Sequence, residues 1–181
     1  MSQRNVDDVV LDAARTVVLA VGFRRTTLTD VARRAGVSRM TLYRRFPDVE
    51  AVLSALMTRE FGRLVADAAA RAEGATARER VVAMVVHGSR ALAEDPLFVR
   101  LLDVDPELLL PYVTQRLGGM QKMAVEAGAR ALADADGSVR DDASPEAVEL
   151  IARGFVLASH GELGLDPWAE LARAIDGYLR P

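Results

Sequence analysis

Cysteine is absent from this chain of 181 residues, lysine occurs once (Lys122), and aromatic residues make up only 5%. The missing cysteines exclude a disulfide framework and thiol chemistry, and they suit a reducing cytoplasm. Since there are also only two histidines, no cluster reaches the ligand count of a zinc centre, so neither a metal nor a cofactor is expected. One lysine against 22 arginines reflects the codon preference of a GC-rich, bacterial genome and carries no functional weight. Proline is sparse as well, with 7 residues, and the abundance of Ala, Leu, Val and Arg favours helices over a sheet. Long hydrophobic runs are missing: a stretch such as Val81 to Val86 falls far short of the roughly 18 residues a membrane span needs. Asp7, Asp8 and Asp12 interrupt the segment where a secretory signal would be apolar. The expected location is the cytoplasm, with no membrane partner.

What is present is a division of charge. The chain as a whole carries −3, which by itself argues against nucleic acid. Residues 1–47, however, hold nine arginines against four aspartates, a local balance of +5, and the remaining residues stand at −8. A basic head on an acidic body is the asymmetry expected when only the head meets a polyanion.

The chain reads as all-α, with about nine or ten helices. Apolar residues at 6, 9, 10, 13, 14, 17, 18 and 21 follow the helical period and predict a first helix over Val6 to Val21, closed by Gly22. Thr27-Leu-Thr-Asp30 predicts a capping box opening a second helix through Ala35. Ser38 predicts the cap of a third, which Pro47 stops, and Asp48 the cap of a long fourth helix to about Ala72. Arg78 to Glu94 is nearly all apolar and is expected to be central in the body. Further helices are expected up to about Ala135, from Ser144-Pro145 to Ser159, and from Asp166-Pro167 to Leu179. The polar stretch 136–144 reads as a mobile surface loop.

A helix-turn-helix holds two short helices at a steep angle and needs small residues where they cross. Ala32 supplies that contact and Gly36 the turn, while Val31, Ala35, Val37, Leu42 and Phe46 supply the unit's own core. The outward positions of the second helix are then Arg39, Met40, Thr41, Tyr43, Arg44 and Arg45. Such a helix fits the major groove, where arginine reads guanine and threonine meets the thymine methyl group. Ser38 and Tyr43 suit phosphate oxygens, and Ser38 stands at a helix N-terminus, whose partial positive charge favours anions.

The run TTLTDVARRAGVSRMTLYRRFPDVEAVL, Thr26 to Leu53, resembles the N-terminal DNA-binding domain of TetR-family transcriptional regulators. The resemblance spans about residues 6–55; the body matches only in being helical and of the right length. It implies a three-helix DNA-binding head over residues 1–48 and a helical-bundle body over 49–181 for ligand binding and dimerisation. It further implies a homodimer formed through the last two helices, a palindromic operator in double-stranded DNA, and repression relieved by a small-molecule effector. Thr27 and Ser38 match phosphate-contacting caps, Arg39, Met40, Thr41 and Arg44 match positions facing bases, and Tyr43 matches a phosphate-contacting tyrosine. The chain departs from the family in three places. Arg45 replaces the usual Tyr or His, Met40 replaces Gly, Ala or Pro, and Val49 replaces a frequent phosphate-contacting Lys. Met40 suits apolar contact with thymine methyls, and Arg45, Arg24 or Arg25 is expected to supply the contact Val49 lacks.

In the body, Met84 and His87 of the apolar helix, with Phe98, Tyr112, Arg116 and Met120 further on, are candidate lining for a largely hydrophobic effector; Met123 joins them. A lone histidine on such a helix is more often a hydrogen-bonded core residue. Asp103, Asp105 and Glu107 form an acidic cluster beside Pro106 that reads as a solvated turn. His160 with Glu162 reads as a helix end. Catalytic residues find no support, so no enzyme is expected. Val148, Ile151 and Phe155, and then Trp168, Leu171 and Ile175, form apolar stripes on the last two helices. Two such hairpins would build a four-helix interface between subunits. Two rival readings remain, a sequence-tolerant DNA binder without effector and a helical enzyme. Ligand-insensitive affinity would favour the first, and turnover without DNA binding the second.

Overall fold

The computed structural model describes residues 6–110, 118–133, 136–161 and 164–181. Among the described residues every regular element is helical: α1 (Val6–Val21), α2 (Leu28–Ala35), α3 (Arg39–Arg45), α4 (Val49–Ala70), α5 (Ala77–Ala93), α6 (Pro96–Val104), a 3-10 turn (Pro106–Leu109), α7 (Gly119–Ala133), α8 (Pro145–Ala158) and α9 (Pro167–Leu179). None of these helices is long and apolar enough to cross a membrane.

The helix ends are written in the sequence. Gly22 and Gly36 adopt left-handed conformations at φ 91° and 68°, which a residue with a Cβ resists. Thr27, Ser38 and Thr76 each accept the N–H three residues on, at Asp30, Thr41 and Glu79. Only Thr76 completes the reciprocal capping box, because the Glu79 side chain returns to its backbone. At Thr27 the Asp30 carboxylate accepts from the threonine hydroxyl instead, at 2.6 Å, since an aspartate is one carbon shorter than the glutamate the full box uses.

The described residues fall into two compact units. One takes the chain up to Glu60 together with the segment from Pro96 through the 3-10 turn. Its core collects Val10, Ala14 and Val18 of α1, Val31 and Ala32 of α2, Leu42 of α3, Val52 and Leu56 of α4, and Leu97 and Leu101 of α6. The segment from Pro96 thus packs with the head, although the motif itself ends near residue 48. Leu42 is the one buried residue of α3, so a single leucine seats that helix while its other faces remain free.

The second unit runs from Phe61 to Asp95 and resumes from residue 118. Here α5 packs against α7, α8 and α9, around Val81, Val148, Leu171, Ile175 and Leu179. The stretch 136–144, expected to be mobile, is instead a brace. Asp136 accepts the Ala77 N–H at 2.9 Å and the Ser138 hydroxyl accepts the Arg78 N–H at 3.1 Å, so together with Thr76 it caps the first turn of α5. Val139 is buried, the Arg140 N–H donates to the Leu179 carbonyl at the end of α9, and the Ser144 N–H donates to the Tyr178 hydroxyl. Polar turn residues looked like a solvated loop because the donors they satisfy lie some 60 residues away in sequence.

Candidate nucleic-acid interface and ligand cleft

The α3 surface follows from the one buried leucine. With Leu42 inward, Arg39, Met40, Tyr43, Arg44 and Arg45 are all exposed, Met40 at 77% and Tyr43 at 51%. An exposed methionine and tyrosine on a seven-residue helix leave apolar surface open to a partner. Ser38 and Thr41 lie at the helix N-terminus with their hydroxyl oxygens 2.9 Å apart, and Thr27 stands exposed at the start of α2. Among the described residues neither Arg39 nor Arg44 is held by a carboxylate, whereas Arg45 is paired with Asp7 of α1. The structure therefore brings the expected residues onto one surface but divides its arginines into two free cations and one already tethered.

The same division holds for the arginines expected to replace the lysine absent at residue 49. Arg24 pairs with Glu107 and Arg45 with Asp7; the Glu107 carboxyl is held below the ordinary carboxylate range by its own backbone N–H and then by Arg24. Arg25 is exposed and carries no such pair among the described residues.

The acidic cluster at 103–107 is not a uniform solvated turn. Asp103 is exposed, but Asp105 is only 4% exposed, and its carboxylate accepts the Phe23 N–H at 2.7 Å. Arg100 donates to the Ala20 carbonyl at 3.1 Å. Three side chains of the α6 and 3-10 segment thus grip the corner between α1 and α2: Arg100, Asp105 and Glu107. A Cβ on Gly22 would lie 2.9 Å from both the Asp105 carboxylate and the Val104 side chain, so the approach needs glycine. Within the same unit, Arg59 of α4 meets its neighbour Glu60 at 2.6 Å and Asp12 of α1 at 2.9 Å, the second pair tying α4 to α1.

In the second unit a half-open cleft of about 510 Å³ lies among the second half of α4, α5 and α7. Its walls are smooth because they are built from Ala66, Ala69 and Ala72 on one side and Ala127 and Ala131 on the other. Met84 and Met123 supply its bulkier apolar surface, and Arg80, Glu126 and Arg130 its charge. Of the lining expected from sequence, Met84 and Met123 are the only described residues found here. His87 points elsewhere, half-exposed, with its Nε2 3.4 Å from the Asp67 carboxylate, which is itself held below its ordinary range by Arg71 and then His87. Phe98 is buried in the other unit, on α6. Met120 lies on α7 outside the cleft wall. Tyr112 and Arg116 lie outside the described residues. The alanines were missed because an alanine in a helix signals nothing until a facing helix leaves space beside it.

The family model for bacterial regulatory proteins of the tetR family matches residues 10–56, the span of α1 through the first turns of α4. Over 179 residues the chain is 35% identical to the uncharacterized HTH-type transcriptional regulator Rv2250c of Mycobacterium tuberculosis, covering 94% of this chain and 92% of that protein. The chain belongs to the TetR family. It is a helix-turn-helix transcriptional regulator, and α2 and α3 are its helix-turn-helix. The fold agrees over nearly the whole length. The repressor QsdR of R. erythropolis superposes with a TM-score of 0.71 at 20% identity, over 96% of this chain and 94% of that one. FadR of Bacillus subtilis, solved in complex with stearoyl-CoA, gives 0.60 at 18% identity, over 94% and 95%.

In this TetR-family body the last two helices divide their apolar residues unevenly. Leu171 and Ile175 are fully buried and Val148 is 4% exposed, all within the chain's own core, so these three have no surface left for a partner. Ile151, Phe155 and Trp168 are half-buried against the same core. The apolar side chains left outside are Leu150, 60% exposed, and Leu165, 51% exposed. Gly154 and Ala158 continue the exposed line of Leu150 along α8 at four-residue steps, giving a flat strip.

Proposed function

We propose that this regulator acts as a cytoplasmic homodimeric repressor, binding a palindromic operator through α3 and releasing it when a small, largely hydrophobic effector occupies the body. Residues 1–48 would be the DNA-binding domain and 49–181 the domain for effector and dimer. The observation that carries the DNA half is the α3 surface: Arg39 and Arg44 free of carboxylates, beside an exposed Met40 and Tyr43. Free guanidinium groups are what bidentate guanine contacts require, and a tyrosine hydroxyl on the flank suits a phosphate. Thr27, Ser38 and Thr41 would complete the phosphate and base contacts. Arg45, tied to Asp7, would act only if that exposed pair opened, and Arg25 is the better substitute for a lysine at residue 49.

The dimer face we assign to the exposed strip of α8, Leu150 with Gly154 and Ala158, joined by the half-buried Phe155 and Trp168. Small residues there let a partner helix approach closely. The effector site we assign to the alanine-walled cleft, whose volume lies within the range of small-molecule sites, roughly 300–1,000 Å³. Selection of bound sequences from a random DNA pool, followed by footprinting, tests the scheme. A palindrome with half-sites about one helical turn apart, 34–36 Å, is expected; protection of a single half-site by a monomer would refute it.

A further inference from the structure

The cleft is apolar along its walls, yet it holds two arginines. Arg80 comes from α5 and Arg130 from α7, and both line the space. Among the described residues neither is paired with a carboxylate, and the Arg80 guanidinium reaches only the Gly74 carbonyl, at 3.4 Å. Glu126, one turn before Arg130 on α7, pairs with neither, so the charged side chains of the lining sum to a single positive charge. Elsewhere on this unit arginines are paired: Arg71 with Asp67, Arg78 with Asp176, Arg153 with Glu149, Arg173 with Glu170 and Arg180 with Asp176. The two at the cleft differ from these.

We infer that the cleft takes an amphiphilic anion, an unbranched apolar chain ending in a carboxylate or comparable acidic group, with the head between Arg80 and Arg130. The inference rests on the reading of this cleft as the effector site. The chain would lie along Ala66, Ala69 and Ala127, where no side chain obstructs it, with Met84 and Met123 adjusting to its shape. At about 30 Å³ for each water-sized group, the 510 Å³ available admits about 17 non-hydrogen atoms. That matches a saturated acid of twelve to fourteen carbons. An acid and a larger molecule presenting an acyl chain with an acidic group share this chemistry; the former fits wholly, the latter only by its tail.

The test measures binding of dodecanoate, 1-dodecanol and dodecylammonium to the full chain below their aggregation limits, by calorimetry and by release of selected DNA. Dodecanoate should bind about tenfold tighter than dodecanol, the value of a charge-assisted contact at a partly exposed site, and dodecylammonium should bind weakest. Arg80→Gln and Arg130→Gln should each reduce the dodecanoate preference while leaving dodecanol binding unchanged, a readout that mere loss of packing would not give. Ala69→Phe, at an exposed wall position, should block all three ligands without unfolding the chain. Equal affinity for acid and alcohol, both blocked by Ala69→Phe, overturns the anion inference and leaves the effector site standing. Binding of any of them that is indifferent to Ala69→Phe overturns both.

Discussion

Asp105 separates what its neighbours in sequence cannot. Removing its carboxylate by Asp105→Ala leaves the Phe23 N–H, on a residue 5% exposed, without its acceptor at 2.7 Å. An orphaned buried donor costs about 1–3 kcal/mol, and loss of a charged acceptor falls toward the upper end. We expect about 2–3 kcal/mol for Asp105→Ala and about 1 kcal/mol for Asp105→Asn, whose amide oxygen still accepts but without the charge. In a chain of this size 1 kcal/mol moves the melting temperature by roughly 2–4 °C, so Asp105→Ala should melt about 4–12 °C lower. Asp103→Ala, two residues away and exposed, should change it by less than about 0.5 kcal/mol. Gly22→Ala should reproduce the larger effect by another route, because its Cβ meets the same carboxylate at 2.9 Å and its φ is 91°. Urea and thermal unfolding followed by circular dichroism measure all four. Equal losses for Asp103→Ala and Asp105→Ala, or an Asp105→Ala midpoint within 1 °C of the parent, would refute the clasp between the 3-10 segment and the head.

Tyr43→Ala should weaken binding to all DNA sequences, and Arg44→Ala should weaken it while relaxing specificity at one position; mobility shifts on specific and random duplexes distinguish the two. Val49→Lys should tighten binding to both kinds of duplex and steepen the salt dependence by about one unit, unless Arg25 already makes that contact, in which case the slope stays flat. Leu150→Glu should yield folded monomers by sedimentation, whereas Leu171→Ala should lower stability by about 2–5 kcal/mol without selectively dissociating the dimer; a dimeric Leu150→Glu would put the interface elsewhere. The Asp136 carboxyl is lowered to about 2 by hydrogen bonds from the Ser138 hydroxyl and then the Ala77 and Ser138 N–H groups. Its contribution is therefore complete above the ordinary value near 3.8 and is lost as pH falls toward 2. Asp136→Asn should flatten the stability profile between pH 4 and 2, and an unchanged acid limb would contradict the cap it forms on α5.

The local part of this protein was legible from its sequence. Helix starts and stops are chosen by residues within four positions of the end they serve, as at Ser38 and Gly36, so spacing alone placed α1, α2 and α3. The outward face of α3 followed from a single leucine, and the division of charge from composition. Tertiary structure decided whatever depends on residues far apart in the chain. It made Asp105 a buried acceptor and left Asp103 in water, although the two read alike in sequence. It turned the polar stretch 136–144 into the cap of α5, because free N–H groups at a helix start donate to any oxygen that packing delivers. It withdrew Leu171 and Ile175 into the chain's own core and left Leu150 outside, since periodicity gives an apolar stripe but not the element that covers it. It also moved the candidate ligand site from His87 to a wall of alanines, because a cleft is defined by atoms that are missing, and the sequence records only those that are present.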